Sequence, residues 1–549
     1  MKRYQIFTAC LLCLLCSQAN ARVEKFRIIW QEDPASTATI AWHQASGDNP
    51  MLYLDINDYD NDWQEYAVME RPDRVQLAKG MKNFFVRLTG LHPNTTYYFI
   101  IKDSEGLSRR LFFTTAPNRP DQRLSIIAGG DSRNNRDARI DANRLVAKLR
   151  PHCVMFGGDF TAEERVDEWM DWFDDWQLTI ARDGKVTPII VCRGNHEESN
   201  QSLIDLFDLK FPTAFYAQNL GGNLLRIYTL NTLIPAGGQQ VEWLEKDLKA
   251  NSDATWKIAQ YHFPMRPHTQ QKVDKNDQTV FWAPLFHKYN LNLAIECDAH
   301  VVKYTHPIRP DNGHGSDQGF IRDDEAGTVF IGEGCWGAPL RANNDDKAWT
   351  RASGSFNQFH WIFIDREKIE VRTVKTDGSE FVGEVDKGNI FSAPRGLNIW
   401  NPPTGAVLQI HRQGNGVPVE PQEQEPLFAP RGKSNSSSGA ATAPPIVPRA
   451  ELARGEMNET DNWEICPQLA MDAAQGNVKI KYEVEHSCNV VIRLVNLKLQ
   501  EVTRIEIPNQ APGEYLKSLE MKHLPPGRYL AVVKADKKVL QRYRIKKEG

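Results

Sequence analysis

From Val23 to about Pro117 apolar and polar positions alternate in short runs: Phe26 to Trp30, Thr37 to Trp42, Phe84 to Leu88, an aromatic run ending at Phe99, and Leu111 to Pro117. Gly90 and Pro93 punctuate them, and the pattern predicts an all-β region. Between about Asn118 and His411 the pattern changes. Short, wholly apolar runs now alternate with stretches of helical period. Ile140 to Arg150 places Ile140, Leu145, Val146 and Leu149 on one face, and Glu163 to Ala181 carries Trp169, Trp172, Phe173 and Trp176. Strands alternating with helices predict an α/β layer architecture, with the tryptophan stripe in its core or on the rim of a site mouth. From Val417 to Pro448 the chain is rich in Pro, Gln, Glu, Ser and Ala, as a linker is. Alternation returns at Val478 to Tyr482, Val490 to Leu494 and Tyr529 to Val533, and Pro525-Pro526-Gly527 followed by Val539 to Ile545 predicts a closing hairpin.

The fold expected is therefore multi-domain: an N-terminal β-sandwich over residues 22–117, an α/β sandwich over 118–411, a linker over 412–455 and a small C-terminal β-sandwich over 456–549. The apolar runs of the middle region share one feature. Leu124 to Gly130 ends in Asp131, Cys153 to Gly158 ends in Asp159, and Thr187 to Cys192 runs through Arg193-Gly194 into Asn195-His196-Glu197. Further on, Trp256 to Tyr261 ends in His262, and Leu291 to Cys297 ends in Asp298-Ala299-His300. Glycine after an apolar run followed by Asp is by itself an ordinary turn. Five apolar strands that each end in a metal-capable side chain are a different matter, because binding sites of open α/β sheets lie at the carboxyl ends of strands.

In these motifs the chain resembles the calcineurin-like metallophosphoesterases. With its β-rich N-terminal region, which looks like a fibronectin type III sandwich, it is most similar to the purple acid phosphatases. The resemblance covers roughly Val23 to Trp400 and implies a phosphate ester substrate and two divalent or mixed-valence metal ions, drawn from Mn, Zn, Fe, Mg or Ca. Phosphate esters resist hydrolysis, and two cations about 3.5–4 Å apart grip the phosphoryl oxygens and supply hydroxide at neutral pH. Cations so close together need a bridging carboxylate. The resemblance assigns that bridge to Asp159, the first metal to Asp131 and His300, and the second to Asn195, His262 and Asp298. It gives His196 the task of holding the phosphate or protonating the leaving group, and it places His268 where relatives carry a leaving-group acid.

This sequence departs from the family at three points. Relatives carry Gly-His-x-His in the last motif, whereas Cys297-Asp298-Ala299-His300 keeps only the second histidine; a shifted register, Ala299 to Val302, would lose a ligand altogether, and the first register is preferred. An oxygen ligand at Asp298 favours harder cations over zinc. Ala162 stands where purple acid phosphatases have a tyrosine, so their colour and iron(III) preference are not expected. Arg133 stands where another branch has a histidine, and its planar fork is either a phosphate grip or a surface residue paired with a neighbouring acid.

Composition narrows the function class further. A formal net charge of −4 over 549 residues gives no basic footprint for nucleic acid. Residues 1–21 have a basic start, an apolar core and an Ala19-Asn20-Ala21 cleavage pattern, which predicts a secreted, periplasmic or cell-surface protein. Six cysteines follow that segment, Cys153, Cys192, Cys297, Cys335, Cys466 and Cys488, and Cys466 with Cys488 is the favoured pair. The C-terminal region loosely resembles sorting or attachment domains of exported proteins, with carbohydrate binding or a structural role left open. The expected function is an exported metal-dependent phosphoesterase, a phosphomonoesterase by preference. The alternatives are a phosphodiesterase, or a non-catalytic binding or adhesion protein on a degenerate metallophosphoesterase scaffold.

Overall fold

The computed structural model describes residues 22–412, 477–496, 501–536 and 538–547. Residues 1–21, expected to be a signal segment, the expected linker from residue 413 on, and Cys466 lie outside the described residues. The chain divides into two compact units, the first ending at Arg412.

Two large sheets organise the first unit. At the centre of a ten-stranded sheet, Leu124–Gly129, Cys153–Phe156 and Ile189–Val191 lie side by side and parallel. All three are buried along their whole length, which is why they read as continuous apolar runs rather than alternating ones. Their register pairs Phe156 with Gly129 on one side and with Val191 on the other, so the three strands finish at one level. Asp131, Asp159 and Asn195 follow within a few residues of that level. In the second, seven-stranded sheet, Trp256–Gln260 runs parallel to Leu293–Glu296, with Gln260 opposite Ile295. His262 and Asp298 emerge at matching heights there.

Side-chain alternation along the second sheet explains how it serves two cores. Ile258, Leu293, Ile295, Val329 and Ile331 join the core shared with the first sheet. Tyr228, Ala259, Ala294 and Phe330 face the opposite way and pack with Leu244, Leu248, Trp282 and Phe286 from the helices Gln239–Ala250 and Ala283–Lys288 and the residue between helices at 282.

The predicted helices form as Arg136–Leu149 and Val166–Trp176. Trp169, Trp172 and Trp176 are buried, so the tryptophan stripe is core. Trp172 stacks on Trp176, meets Phe156 edge-on, and donates from Nε1 to Ser132 Oγ at 2.9 Å. Ser132 Oγ in turn donates to the Phe160 carbonyl at 2.9 Å, so one indole ties together the turns that follow Asp131 and Asp159.

The N-terminal strands do not form a separate bead. Val23–Ile29, Ala38–Gln44, Met81–Leu88 and Arg74–Ala78 continue the ten-stranded sheet, joined to it where Ile29 pairs in parallel with Ile189. Val68–Glu70, Met51–Asp55, Thr96–Lys102 and Leu111–Thr114 make a separate four-stranded antiparallel sheet. Met51–Asp55, Val68–Glu70 and Arg74–Ala78 escaped the sequence reading because they are short and lie among turn-rich stretches.

The second unit holds a two-stranded sheet, Asn477–Val484 with Gly513–Glu520, and a four-stranded sheet of Glu501–Gln510, Cys488–Asn496, Gly527–Ala535 and Lys538–Lys547. The last two form the expected hairpin. Val478, Ile480, Tyr482, Val490, Ile492 and Leu494 fill its core. Among the described residues, Cys153, Cys192, Cys297, Cys335 and Cys488 are buried and form no disulfide with one another.

Two stability measurements follow from this packing. Trp172→Ala should lower the unfolding free energy by about 3–5 kcal/mol in urea titration, as for other buried aromatics. His360, 1% exposed, is pushed down to about 3 by burial. Unfolded, the ring titrates near 6.5, so the unfolded chain takes up the proton first; stability is complete above about pH 6.5 and drains away as pH falls towards 3. The urea midpoint should therefore drop on acidification, and His360→Gln should flatten that slope.

Candidate metal centre

The two sets of strand ends face each other, and their side chains converge in three overlapping groups. Asp131, Asp159 and His300 make one, Asp159, His262 and Asp298 a second, and Asp131, His262 and Cys297 a third, each with ligand atoms within 4.8 Å of one another. His262 Nε2 lies 3.1 Å from Asp159 Oδ1, 3.0 Å from Asn195 Oδ1 and 3.8 Å from Asp298 Oδ1. His300 Nε2 lies 3.3 Å from Asp131 Oδ1. Asp159 is common to the first two groups, which is the position of a bridge. Thus the six residues singled out for metal binding come together, with Asp298 and His300 both present in the preferred register.

The turns carrying these residues are tight. Asp131, Asp159, Asp298 and His300 all have left-handed backbone, with φ of 58°, 55°, 69° and 56°. Such conformations cost free energy and persist where the surroundings fix them. Two glycines make the close approach feasible. A Cβ at Gly194 would collide with Asp159 Oδ1, and one at Gly334 with Asp131 Oδ2. Glu197, fully buried, clamps two of the turns by accepting the backbone N–H groups of Gly194 at 2.6 Å, Phe160 at 2.9 Å and Asp159 at 3.1 Å. Burial and the nearby Asp159 charge push its carboxyl up from the ordinary value.

A cation fits this donor set on three grounds. Asp131 Oδ1, Asp159 Oδ2 and His300 Nε2 are buried polar atoms with no hydrogen-bond partner, and they belong to one group. Leaving carboxylate oxygens so is costly unless a cation meets them. Both histidines are oriented through Nδ1, which donates to the Gly157 carbonyl at 2.9 Å in His262 and to the Pro339 carbonyl at 2.8 Å in His300, so each Nε2 is aimed into the cluster. Finally, burial alone would lower the pKa of His262, yet the carboxylates of Asp159, Asp131 and Asp298 raise it to about 10. Burial likewise raises Asp159, but the charges of His262 and His196 outweigh it and hold the carboxyl below its usual range. The cluster draws positive charge to itself.

His196 borders the cluster, half-buried. Its backbone N–H donates to Asp159 Oδ1 at 2.9 Å, its Nδ1 bonds the Ala162 carbonyl, and its Nε2 lies 3.7 Å from Asp159 Oδ2. Arg133 is half-buried, and its Nε is buried with no partner, so the surface-pair alternative finds no acid partner among the described residues.

The resemblance places His268 as a leaving-group acid, and the structure sets it in a buried network. Its ring is fully buried, 2.7 Å from Thr350 Oγ1 and 3.6 Å from Glu333 Oε1, and packs on Trp349 rather than on the cluster. It belongs to a buried ion network in which Lys303 bridges Glu296 at 2.5 Å and Glu333 at 2.6 Å. Tyr304, next in the chain, is tied down as well, its hydroxyl bonding Thr373 Oγ1. Sequence reasoning gave no role to Glu197, although it stands inside the Gly-Asn-His-Glu motif, and none to Cys297, a residue of the last motif whose thiol joins a ligand group.

Residues 126–302, which contain all six converging side chains, match the model of the calcineurin-like phosphoesterases. That stretch is thus similar to a calcineurin-like phosphoesterase domain. Residues 23–115, ahead of the phosphoesterase domain, match the purple acid phosphatase N-terminal domain, and the fibronectin type III likeness gains no support of its own. No curated protein matches the sequence. Among solved structures, the fold is similar to purple acid phosphatase PPD1 from seeds of yellow lupin (Lupinus luteus), at 13% identity over 68% of this chain and 76% of that one, with a TM-score of 0.52. It is also similar to PhoD, at 9% identity over 71% of this chain and 90% of that one, with a TM-score of 0.51. The domain match and the clustered Asp and His ligands support a metal-dependent phosphoesterase hydrolase with two metal ions.

Mn2+ at about 100 times its Kd should stabilise the chelator-stripped phosphoesterase against urea by about 2.7 kcal/mol, and EDTA should abolish the gain. Asp159→Asn should lose most of it. An equal gain in the variant would remove Asp159 from the metal centre.

Proposed function

We propose that the protein is an exported phosphomonoesterase whose centre holds two cations, one by Asp131, Asp159 and His300 and the other by Asp159, Asn195, His262 and Asp298. The observation that carries this reading is Asp159, common to two ligand groups that together draw on the strand ends of both sheets. Two cations held there would neutralise phosphoryl oxygens and supply activated water at neutral pH. The chain's own residues do the rest. His262 and His300, locked by carbonyl acceptors, keep their Nε2 atoms aimed inward without reorganisation. His196 presents Nε2 beside Asp159 and is the group placed to hold a phosphoryl oxygen or pass a proton to the leaving oxygen. Arg133 follows two residues after Asp131, and its guanidinium, whose buried Nε has no hydrogen-bond partner, suits the dianion of a terminal phosphate. That extra charge is what favours a monoester over a diester. Export rests on the amino-terminal pattern of residues 1–21.

Hydrolysis of p-nitrophenyl phosphate and bis-p-nitrophenyl phosphate by the Mn2+-loaded enzyme tests the reading. The monoester should be preferred, and Asp159→Asn should lose at least about a thousandfold in kcat/KM. Preference for the diester would replace monoesterase by diesterase; no turnover of either with any divalent cation would leave the binding-protein alternative.

A further inference from the structure

The second ligand group has a competitor built into the chain. Lys272 Nζ lies 2.5 Å from Asp298 Oδ1, the same oxygen that faces His262 Nε2 at 3.8 Å. Among the described residues it is the one lysine or arginine that pairs with a carboxylate of the cluster. The other ion-pair partners of these three carboxylates, Asp131, Asp159 and Asp298, are histidines. Asp298 is held in place independently of this pair: its backbone N–H donates to Asp131 Oδ2 at 2.9 Å, and its carbonyl accepts from Arg341 Nη1 at 2.7 Å. The loop that brings Lys272 is anchored at its neighbour Gln270, whose backbone N–H donates to Asn344 Oδ1 at 3.0 Å. The lysine side chain is a quarter exposed, whereas that of Asp298 is 3% exposed, so an ammonium on a flexible stem reaches in from the solvent side of a buried carboxylate.

A cation bound by Asp159, His262 and Asp298 needs the oxygen that Lys272 occupies, and like charges at that separation repel strongly in a site this dry. The ammonium must give way, and the only new anion the reaction brings to that side of the centre is the phosphoryl group. We infer that Lys272 is an exchangeable counter-ion: it neutralises Asp298 when the second cation is absent and passes to the substrate phosphoryl oxygens when that cation binds. This rests on the two-cation reading above and adds to it a phosphate-binding residue that lies outside every strand-end motif. It also makes the second cation the weaker of the two, because it alone must displace a lysine.

The test is isothermal titration of Mn2+, and then of inorganic phosphate, into the chelator-stripped full chain, for wild type, Lys272→Met and Lys272→Arg. Lys272→Met should tighten the weaker Mn2+ site about tenfold and loosen phosphate on the Mn2+-loaded protein by a similar factor, as expected for a partly exposed charge pair. Lys272→Arg, which keeps the charge, should retain competition for the weaker site. Two bound Mn2+ with identical isotherms in wild type and Lys272→Met would overturn the competition, and unchanged phosphate affinity would overturn the handover, while both leave the metal centre standing. Failure of the wild type to bind Mn2+ at all would overturn the centre itself, and the role of Lys272 with it.

Discussion

Three carboxylates, those of Asp131, Asp159 and Asp298, are confined to a buried space a few ångströms across, and their mutual repulsion is the constraint on which the rest of the structure depends. Left to themselves they would separate or take up protons. The fold prevents the first by rooting each in a strand whose backbone is fully paired, and it opposes the second by surrounding them with donors. The raised pKa of His262 is the same demand for positive charge expressed in a proton. A small interior built this way is preorganised for cations, and through them for phosphate, because the unfavourable arrangement is maintained by the whole sheet rather than by the ligand.

Much of the scaffold's rigidity resides one layer behind the converging side chains. Glu197 fastens two turns through their backbone N–H groups, Trp172 fastens two through Ser132, and the Lys303 network lies behind His300, whose N–H donates to the Glu333 carbonyl at 2.8 Å. The burial that makes these residues effective supports also explains why they are far from interchangeable with surface charges of the same type. Glu333 illustrates this: burial raises its carboxyl, and Lys303 and His268 more than reverse that, holding it at about 2.

The sequence disclosed whatever was local. A buried parallel strand is a run of apolar residues, and the side chain just beyond it is presented at the sheet's edge; Asp131, Asp159, Asn195 and His262 are all readable by that logic. What was not readable depends on contacts between segments remote in sequence. His268 and Lys272 sit four residues apart on one loop, and nothing in the letters says that the first turns into the core beside Thr350 while the second reaches Asp298. The importance of Glu197 is hidden for a similar reason, since its partners Asp159 and Phe160 lie on another strand's exit. The short strands of the N-terminal region were missed because their pairing, rather than their composition, makes them strands.

The pairing of Ile29 with Ile189 joins residues that the domain boundary in the sequence assigns to different modules. Inheritance and hydrogen bonding therefore divide this chain differently. An excised phosphoesterase segment would present Ile189–Val191, the strand leading to Asn195 and His196, as an open edge, and an unprotected edge is a template for recruiting other chains. Exchange of the N-terminal region between related enzymes is constrained for the same reason, since a slip of one residue at that seam would turn every side chain of the incoming strand to the wrong face. The two modules can diverge in sequence only as fast as their common seam allows.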